Sequence, residues 1–72
     1  MIEPELQAIA DMLRHDLGDD YKPGDNIMFS QLKGLAQEMI EVLGGDYKPA
    51  GVISAMQQSG YVAKDKQFFT VL

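Results

Sequence analysis

Residues 49–62 read PAGVISAMQQSGYV, and the period of the hydrophobic pattern changes within this stretch. Its first part begins with a proline suited to an opening helical turn and then places apolar residues three and four apart, as on one face of a helix. Residues 61–72 instead follow the two-residue period of strands and are rich in β-branched and aromatic side chains. We therefore predict a helix over residues 49–59 and a β-hairpin over residues 61–71.

An earlier helix is predicted over residues 4–17. Pro4 fits its first turn, because the N–H that proline lacks would have no partner there. Gly18 follows as the expected C′ residue, where a left-handed backbone conformation ends many helices. Between them, apolar residues recur with helical spacing and form one stripe: Leu6, Ile9, Ala10, Leu13 and Leu17.

A second helix is predicted over residues 30–43, with Ser30 as its N-cap and Gly44 beyond its end. Its core-facing stripe is the most regular in the chain: Leu32, Leu35, Ala36, Met39, Ile40 and Leu43. The preceding residues 26–29 are short enough to form either an extended segment or a lead-in to the helix. The expected fold class is mainly α with a small β-hairpin, an α+β fold, in a single three-helix domain that spans residues 1–72.

The composition is that of a globular protein, with 46% hydrophobic and 24% charged residues and no cysteine. A disulfide framework and a thiolate metal site are therefore excluded, and packed side chains must stabilise the fold. The N-terminus carries Glu3, Pro4 and Glu5 where a signal peptide would need basic and then apolar residues. We expect an intracellular, cytoplasmic protein that does not associate with a membrane.

Charge is unevenly distributed along the chain, whose net charge is −5. Residues 1–46 carry ten acids against three bases, a net of −7, whereas residues 47–72 carry three lysines against one acid, a net of +2. An acidic protein is not generally attracted to phosphate backbones or anionic lipid surfaces. The pattern predicts an acidic body with a mildly basic C-terminal part.

The sequence lacks the usual combinations of catalytic and ligand-binding residues. His15 is the only histidine and lies within the first predicted helix, so neither a Cys–His pair nor a Ser–His–Asp triad is expected. Gly18 and the Gly44-Gly45 pair follow helices rather than precede them, unlike the glycines of a phosphate-binding loop. A calcium loop counted from Asp16 would place Tyr21 at the position of the turn glycine and Ile27 at that of the bidentate glutamate. We predict that the protein is not an enzyme and has no cofactor and no metal.

The chain nearly repeats itself, since LGDDYKP at residues 17–23 matches LGGDYKP at residues 43–49. One interpretation makes the two loops a paired binding surface, with Tyr21 and Tyr47 as amphipathic anchors. The other is that glycine, turn residues and proline recur wherever a helix is followed by another segment. The second, structural interpretation is favoured.

The order of predicted elements resembles that of the winged-helix branch of the helix-turn-helix superfamily. The resemblance covers residues 27–72 and is densest over residues 49–62, where a helix ends in a glycine and an aromatic and an apolar residue lead into the hairpin. It implies that the helix over residues 49–59 is a recognition helix and that residues 64–67 form the tip of the wing.

Two functions from different classes remain open. The favoured one is a small regulator or inhibitor, of the kind encoded by phages and other mobile elements, that binds a protein or nucleoprotein partner. Its acidic surface would either meet a basic patch on the partner or imitate the charge of a nucleic acid. The alternative is a DNA-binding transcriptional regulator, in which glutamines read adenine edges, lysines neutralise phosphates and a homodimer doubles the contacts. The predicted recognition helix contains no Arg or Lys, which favours the protein partner. The candidate partner-binding residues are Tyr21, Tyr47, Lys48, Ser54, Gln57, Gln58, Lys64 and Lys66.

Overall fold

A computed structural model describes residues 3–72 of the chain. Within those residues it contains three helices and a small three-stranded antiparallel sheet. This confirms the predicted α+β class and is compatible with a winged-helix arrangement. The elements in chain order are α1 (Pro4–Asp20), β1 (Asn26–Met28), α2 (Phe29–Leu43), α3 (Pro49–Gln58), β2 (Val62–Asp65) and β3 (Phe68–Val71).

Helix α1 buries most of the apolar stripe predicted for it, namely Ile9, Ala10, Leu13 and Leu17. Its predicted end at Leu17 is wrong, because the helix continues to Asp20 and the Tyr21 N–H donates to the Leu17 carbonyl. Gly18 does not adopt a positive φ and therefore does not act as a C′ residue. A single glycine costs a helix interior about 1 kcal/mol relative to alanine, which is too little to end a helix whose backbone hydrogen bonds continue beyond it.

The segment before α2, which the sequence left open, is a strand. β1 pairs antiparallel with β3 and leads directly into α2. The helix begins at Phe29, so the prediction of Ser30 as the N-cap is wrong; the N-cap is Met28, without a side-chain cap. The physical reason is that Met28 still pairs with Phe68 in the sheet, and the Phe29 N–H donates to the Gln67 carbonyl. The chain therefore passes from strand to helix without a loop in which Ser30 could cap.

Helix α3 ends at Gln58, one residue before the predicted end, with Ser59 as its C-cap. Gly60 follows with a φ of 77°, which lets the chain turn into β2. The predicted hairpin is confirmed, since β2 and β3 pair antiparallel around a two-residue turn of Lys66 and Gln67. Lys66 takes a φ of 58°, a conformation that hairpin turns usually give to glycine or asparagine.

The sheet has the strand order β1-β3-β2, so β3 is its central strand. One face of the sheet and the three helices enclose a hydrophobic core, and no polar side chain of residues 3–72 is buried. α1 packs against α2 and α3, whereas the sheet packs mainly against α2 and α3. The largest fully buried side chains are Phe69, Leu13, Ile27, Leu32, Met56, Val52 and Val62.

Candidate functional site

The polar residues predicted on the third helix lie on the exposed face of α3. Ser54, Gln57 and Gln58 are exposed, and the Gln58 Nε2 donates to the Ser54 Oγ at 3.4 Å. The opposite face of α3 is buried in the core. Residues 49–58 contain no charged side chain. α3 therefore offers hydrogen-bonding groups to a ligand but no charge for a phosphate.

The three predicted lysines lie in two places. Lys48 is the N-cap residue of α3. Lys64 and Lys66 line a surface pocket with Phe29 and Ser30, beside the first turn of α2. That first turn has no side-chain cap and no acidic residue, so no carboxylate of the turn offsets the positive end of its dipole beside the pocket. The structure thus brings two of the three lysines together at the beginning of α2.

The two tyrosines of the near-repeat pack against the core. Tyr21 and Tyr47 are both half-buried. The Tyr47 hydroxyl donates to the carboxylate of Glu5 on α1. This hydrogen bond, followed by desolvation and by the charge of the same carboxylate, raises the pKa of Tyr47 to about 12. Part of each ring therefore packs against the core and is not available to a partner. Tyr47 also joins the loop after α2 to the beginning of α1.

A groove between α1 and α2, which we call the α1–α2 groove, is missed by the sequence-based prediction. It runs along α1 from Glu5 to Asp20 as three adjoining depressions. Met12 lines the first two depressions and Asp16 lines the second and third, so each depression adjoins the next. Its other α1 residues are Ala8, Ile9, Leu13, Leu17 and Asp19, and its remaining residues are Leu35, Glu38, Met39, Val42, Leu43, Gly44 and Tyr47.

Three large apolar side chains of the α1–α2 groove are exposed to water. Val42 is 79% exposed, Met12 45% and Leu43 43%. The prediction that Leu43 faces the core is wrong, because the last turn of α2 extends past the core and residues 41–46 are all exposed. Met12 and Val42 line one depression, and Met12 and Leu43 line the next. Neighbouring exposed apolar side chains of this kind are typical of an interaction surface.

The charge of the α1–α2 groove has one sign. Its lining residues include five carboxylates and no Lys, Arg or His. Four of the five lie toward the C-terminal end of α1: Asp16, Asp19, Asp20 and Glu38. The last turn of α1 carries no basic residue, so the negative end of the helix dipole adds to these charges. The groove therefore has an apolar floor and an acidic rim that is most negative at one end.

A polar network fixes α1 to the junction between α3 and β2. The Tyr61 hydroxyl donates to the Asp11 carboxylate at 2.5 Å, and the Gln7 Nε2 donates to the same oxygen at 2.8 Å. The Ser59 Oγ in turn donates to the Gln7 Oε1 at 3.1 Å, and the Arg14 guanidinium lies 5.1 Å from the centre of the Tyr61 ring. The hydrogen bond from Tyr61, then that from Gln7, lowers the pKa of Asp11. The network sets the position of α1, which forms one wall of the groove.

The sequence contains one signal of the groove, in the form of apolar residues outside the two core stripes. Met12 and Val42 extend the apolar surface of α1 and α2 beside Leu13 and Met39. Single exposed apolar residues are common on protein surfaces. Met12 and Val42 therefore indicate a groove only once the packing of α1 against α2 is known.

No protein-family model, curated protein or solved structure matches this chain. Within residues 3–72, no three His, Asp or Glu side chains are grouped closely enough to hold a metal ion. Over the same range, no helix combines the length and apolar character needed to cross a membrane. The candidate site therefore rests on the geometry and charge of the groove.

Proposed function

We propose that this chain is a non-enzymatic binding module that acts as a regulator or inhibitor by receiving a partner protein in the α1–α2 groove. The observation that carries the proposal is the exposure of Val42 beside Met12 and Leu43. Removal of apolar surface from water is favourable by about 25 cal/mol per Å². Covering these three side chains with a partner therefore contributes favourably to the free energy of binding.

The rim of the groove supports a basic partner. Five carboxylates without a neighbouring cation in the lining attract positive charge, raise the association rate and disfavour acidic partners. The lining also includes no Ser, Cys, His or Lys. The lining therefore contains neither a Ser–His nor a Cys–His pair for nucleophilic catalysis.

A second candidate is a winged-helix DNA-binding regulator. It is favoured by the order of the elements and by the uncapped first turn of α2, which lies beside Lys64 and Lys66. Backbone N–H groups at a helix N-terminus, with lysines nearby, are suited to a DNA phosphate. In this alternative Gln57 and Gln58 of α3 would face the bases. The small number of lysines and the uncharged α3 make this the weaker candidate.

The test pairs a pull-down from extract of the source cells with a gel-shift of random and genomic duplexes at low salt. The baits are the full-length chain and its Val42→Lys and Gln57→Ala variants. We expect a protein that the wild type and Gln57→Ala recover and that Val42→Lys does not. Recovery of the same proteins by all three baits would contradict the proposal. A sequence-dependent gel shift that is weakened by Lys64→Ala and Lys66→Ala would establish the DNA-binding alternative instead.

A further inference from the structure

We infer that the segment bound in the α1–α2 groove is a basic amphipathic α-helix of the partner, lying antiparallel to α1. This inference rests on the proposed function and adds the class and orientation of the ligand. It follows from the backbone that forms the groove, from its length and from the position of its charges.

The walls of the groove favour a helix over an extended segment. Apart from Gly44 and Tyr47 at one end, the walls are α-helices, whose interior backbone N–H and C=O groups are already bonded within each helix. A strand in the groove would find no sheet edge with which to pair, and its own backbone groups would lose their hydrogen bonds to water. A helix satisfies its backbone internally and can place one apolar face on Met12, Val42 and Leu43.

The length of the groove suits one short helix. The groove follows α1 from Glu5 to Asp20, which at 1.5 Å per residue spans about 24 Å. A partner helix of about 16 residues has the same length and presents about four turns to the groove. Apolar residues spaced three and four apart on that helix would follow the exposed side chains of the groove.

The distribution of carboxylates along the groove favours one orientation of the ligand helix. Asp16, Asp19, Asp20 and Glu38 lie toward one end of the groove, whereas the carboxylate at the other end, Glu5, already accepts a hydrogen bond from Tyr47. Basic residues of the ligand are therefore favoured at the end near Asp20. The N-terminus of the ligand helix, which carries partial positive charge, is favoured at the same end. The ligand then runs antiparallel to α1, from Asp20 toward Glu5.

The test uses synthetic amphipathic peptides of about 18 residues with one tryptophan on the apolar face. The protein contains no tryptophan, so emission from this residue reports only the peptide. The first peptide carries its lysines in the N-terminal half, the second has the same composition with its lysines in the C-terminal half, and the third has glutamate in place of lysine. Titrations are made at about 0.15 M salt, where charges far from the groove are screened.

The first peptide is expected to bind at least about tenfold more tightly than the glutamate peptide. It should bind about two- to fivefold more tightly than the second peptide, which can bring its lysines near Asp20 only with its C-terminus at that end. Val42→Lys and Asp16→Lys should each weaken its binding by about tenfold or more. Asp65→Lys is the matched control, because it makes the same charge change on the hairpin outside the groove; it should alter binding by less than about twofold. The inference is overturned if the glutamate peptide binds as tightly, if the second peptide binds more tightly, or if Val42→Lys has no effect.

Other results separate this inference from the function on which it rests. If no peptide binds while recovery of a partner still depends on Val42, the helical ligand is wrong and the binding function stands. If neither the peptides nor any partner depends on Val42, both are wrong. A wild-type dimer in analytical ultracentrifugation that Val42→Lys dissociates would make a second copy of the chain the occupant and would also overturn the inference.

Discussion

The hydroxyl of Tyr61, at the beginning of the hairpin, donates to the carboxylate of Asp11 in the middle of α1 at 2.5 Å. Fifty positions separate the two residues in the sequence. Their hydrogen bond joins the last part of the chain to the first and holds the wall of the α1–α2 groove in place. Hydrogen bonds to a charged acceptor are stronger than neutral ones, so the protonation of Asp11 should affect the fold.

Stability should depend on the ionisation of Asp11. Its pKa in the folded protein lies below the ordinary value of 3.8, first because of the Tyr61 hydrogen bond. A depressed pKa means that the carboxylate stabilises the fold above pH 3.8 and that this contribution is lost as pH falls through the lower, folded value. We expect Asp11→Asn to lower the Tm at about pH 7 and to have a smaller effect as pH falls below 3.8.

Tyr61→Phe supplies the control for this prediction. A double-mutant cycle of Asp11→Asn and Tyr61→Phe, followed by thermal unfolding, should give a favourable coupling at about pH 7 that weakens as the carboxylate is protonated at acid pH. A cycle without coupling at neutral pH would contradict the proposed role of the hydrogen bond.

Glu5 should raise the pH at which Tyr47 ionises. In a Tyr21→Phe, Tyr61→Phe background, Tyr47 is the only tyrosine left, and its ultraviolet absorbance should titrate at about 12. Glu5→Gln should move this midpoint toward 10.0, because it removes the carboxylate that accepts the phenolic proton. Since the folded pKa is raised, the contact stabilises the fold below pH 10.0 and is lost as pH rises through about 12. A midpoint unaffected by Glu5→Gln would show that the hydrogen bond does not form in solution.

Replacement by alanine should have opposite effects on stability at Gly18 and Gly44, the matching glycines of the near-repeat. Gly18 lies inside α1 with open space around it, so Gly18→Ala should raise the free energy of unfolding by about 0.5–1 kcal/mol. Gly44 has a φ of 81° and a ψ of 166°, which alanine rarely adopts, so Gly44→Ala should lower it by about 1–3 kcal/mol. Urea unfolding measures both values. A loss of stability in both variants would mean that Gly18 ends α1 after all.

Val42→Lys should leave the fold intact. The side chain is 79% exposed and lies in the last turn of α2, where a positive charge is favourable to the helix dipole. We expect the free energy of unfolding to change by less than about 0.5 kcal/mol, with an unchanged circular dichroism spectrum. A large destabilisation would mean that Val42 is packed in solution and would remove it as a probe of the groove.

The helices and the hairpin could be predicted from the sequence because hydrophobic spacing reports burial directly. Ile9, Leu13 and Leu17 recur on one helical face and are all buried, and the switch to a two-residue period after Gly60 marks the hairpin. The ends of the helices are less predictable, since they depend on competing local and tertiary effects. Gly18 and Gly44 occupy equivalent sequence positions, yet only Gly44, which is followed by a second glycine, ends its helix.

The groove could not be predicted, because it is a property of two helices together. Met12 and Leu43 look equally apolar in the sequence to residues that are buried, and only the packing of α1 on α2 shows that they remain exposed. The secondary structure of β1 could not be decided from the sequence for a similar reason. Its three residues become a strand by pairing with residues 68–70 of β3, at least 40 positions later in the chain.

The most direct test of the account is chemical-shift mapping of the ¹⁵N-labelled chain with the partner protein recovered through it. We predict that the largest amide shifts occur along the α1–α2 groove, at Met12, Asp16, Val42 and Leu43, and that Val42→Lys abolishes them. The largest shifts at Ser54, Gln57, Lys64 and Lys66, with the groove unaffected, would contradict it and place the binding surface on α3 and the hairpin.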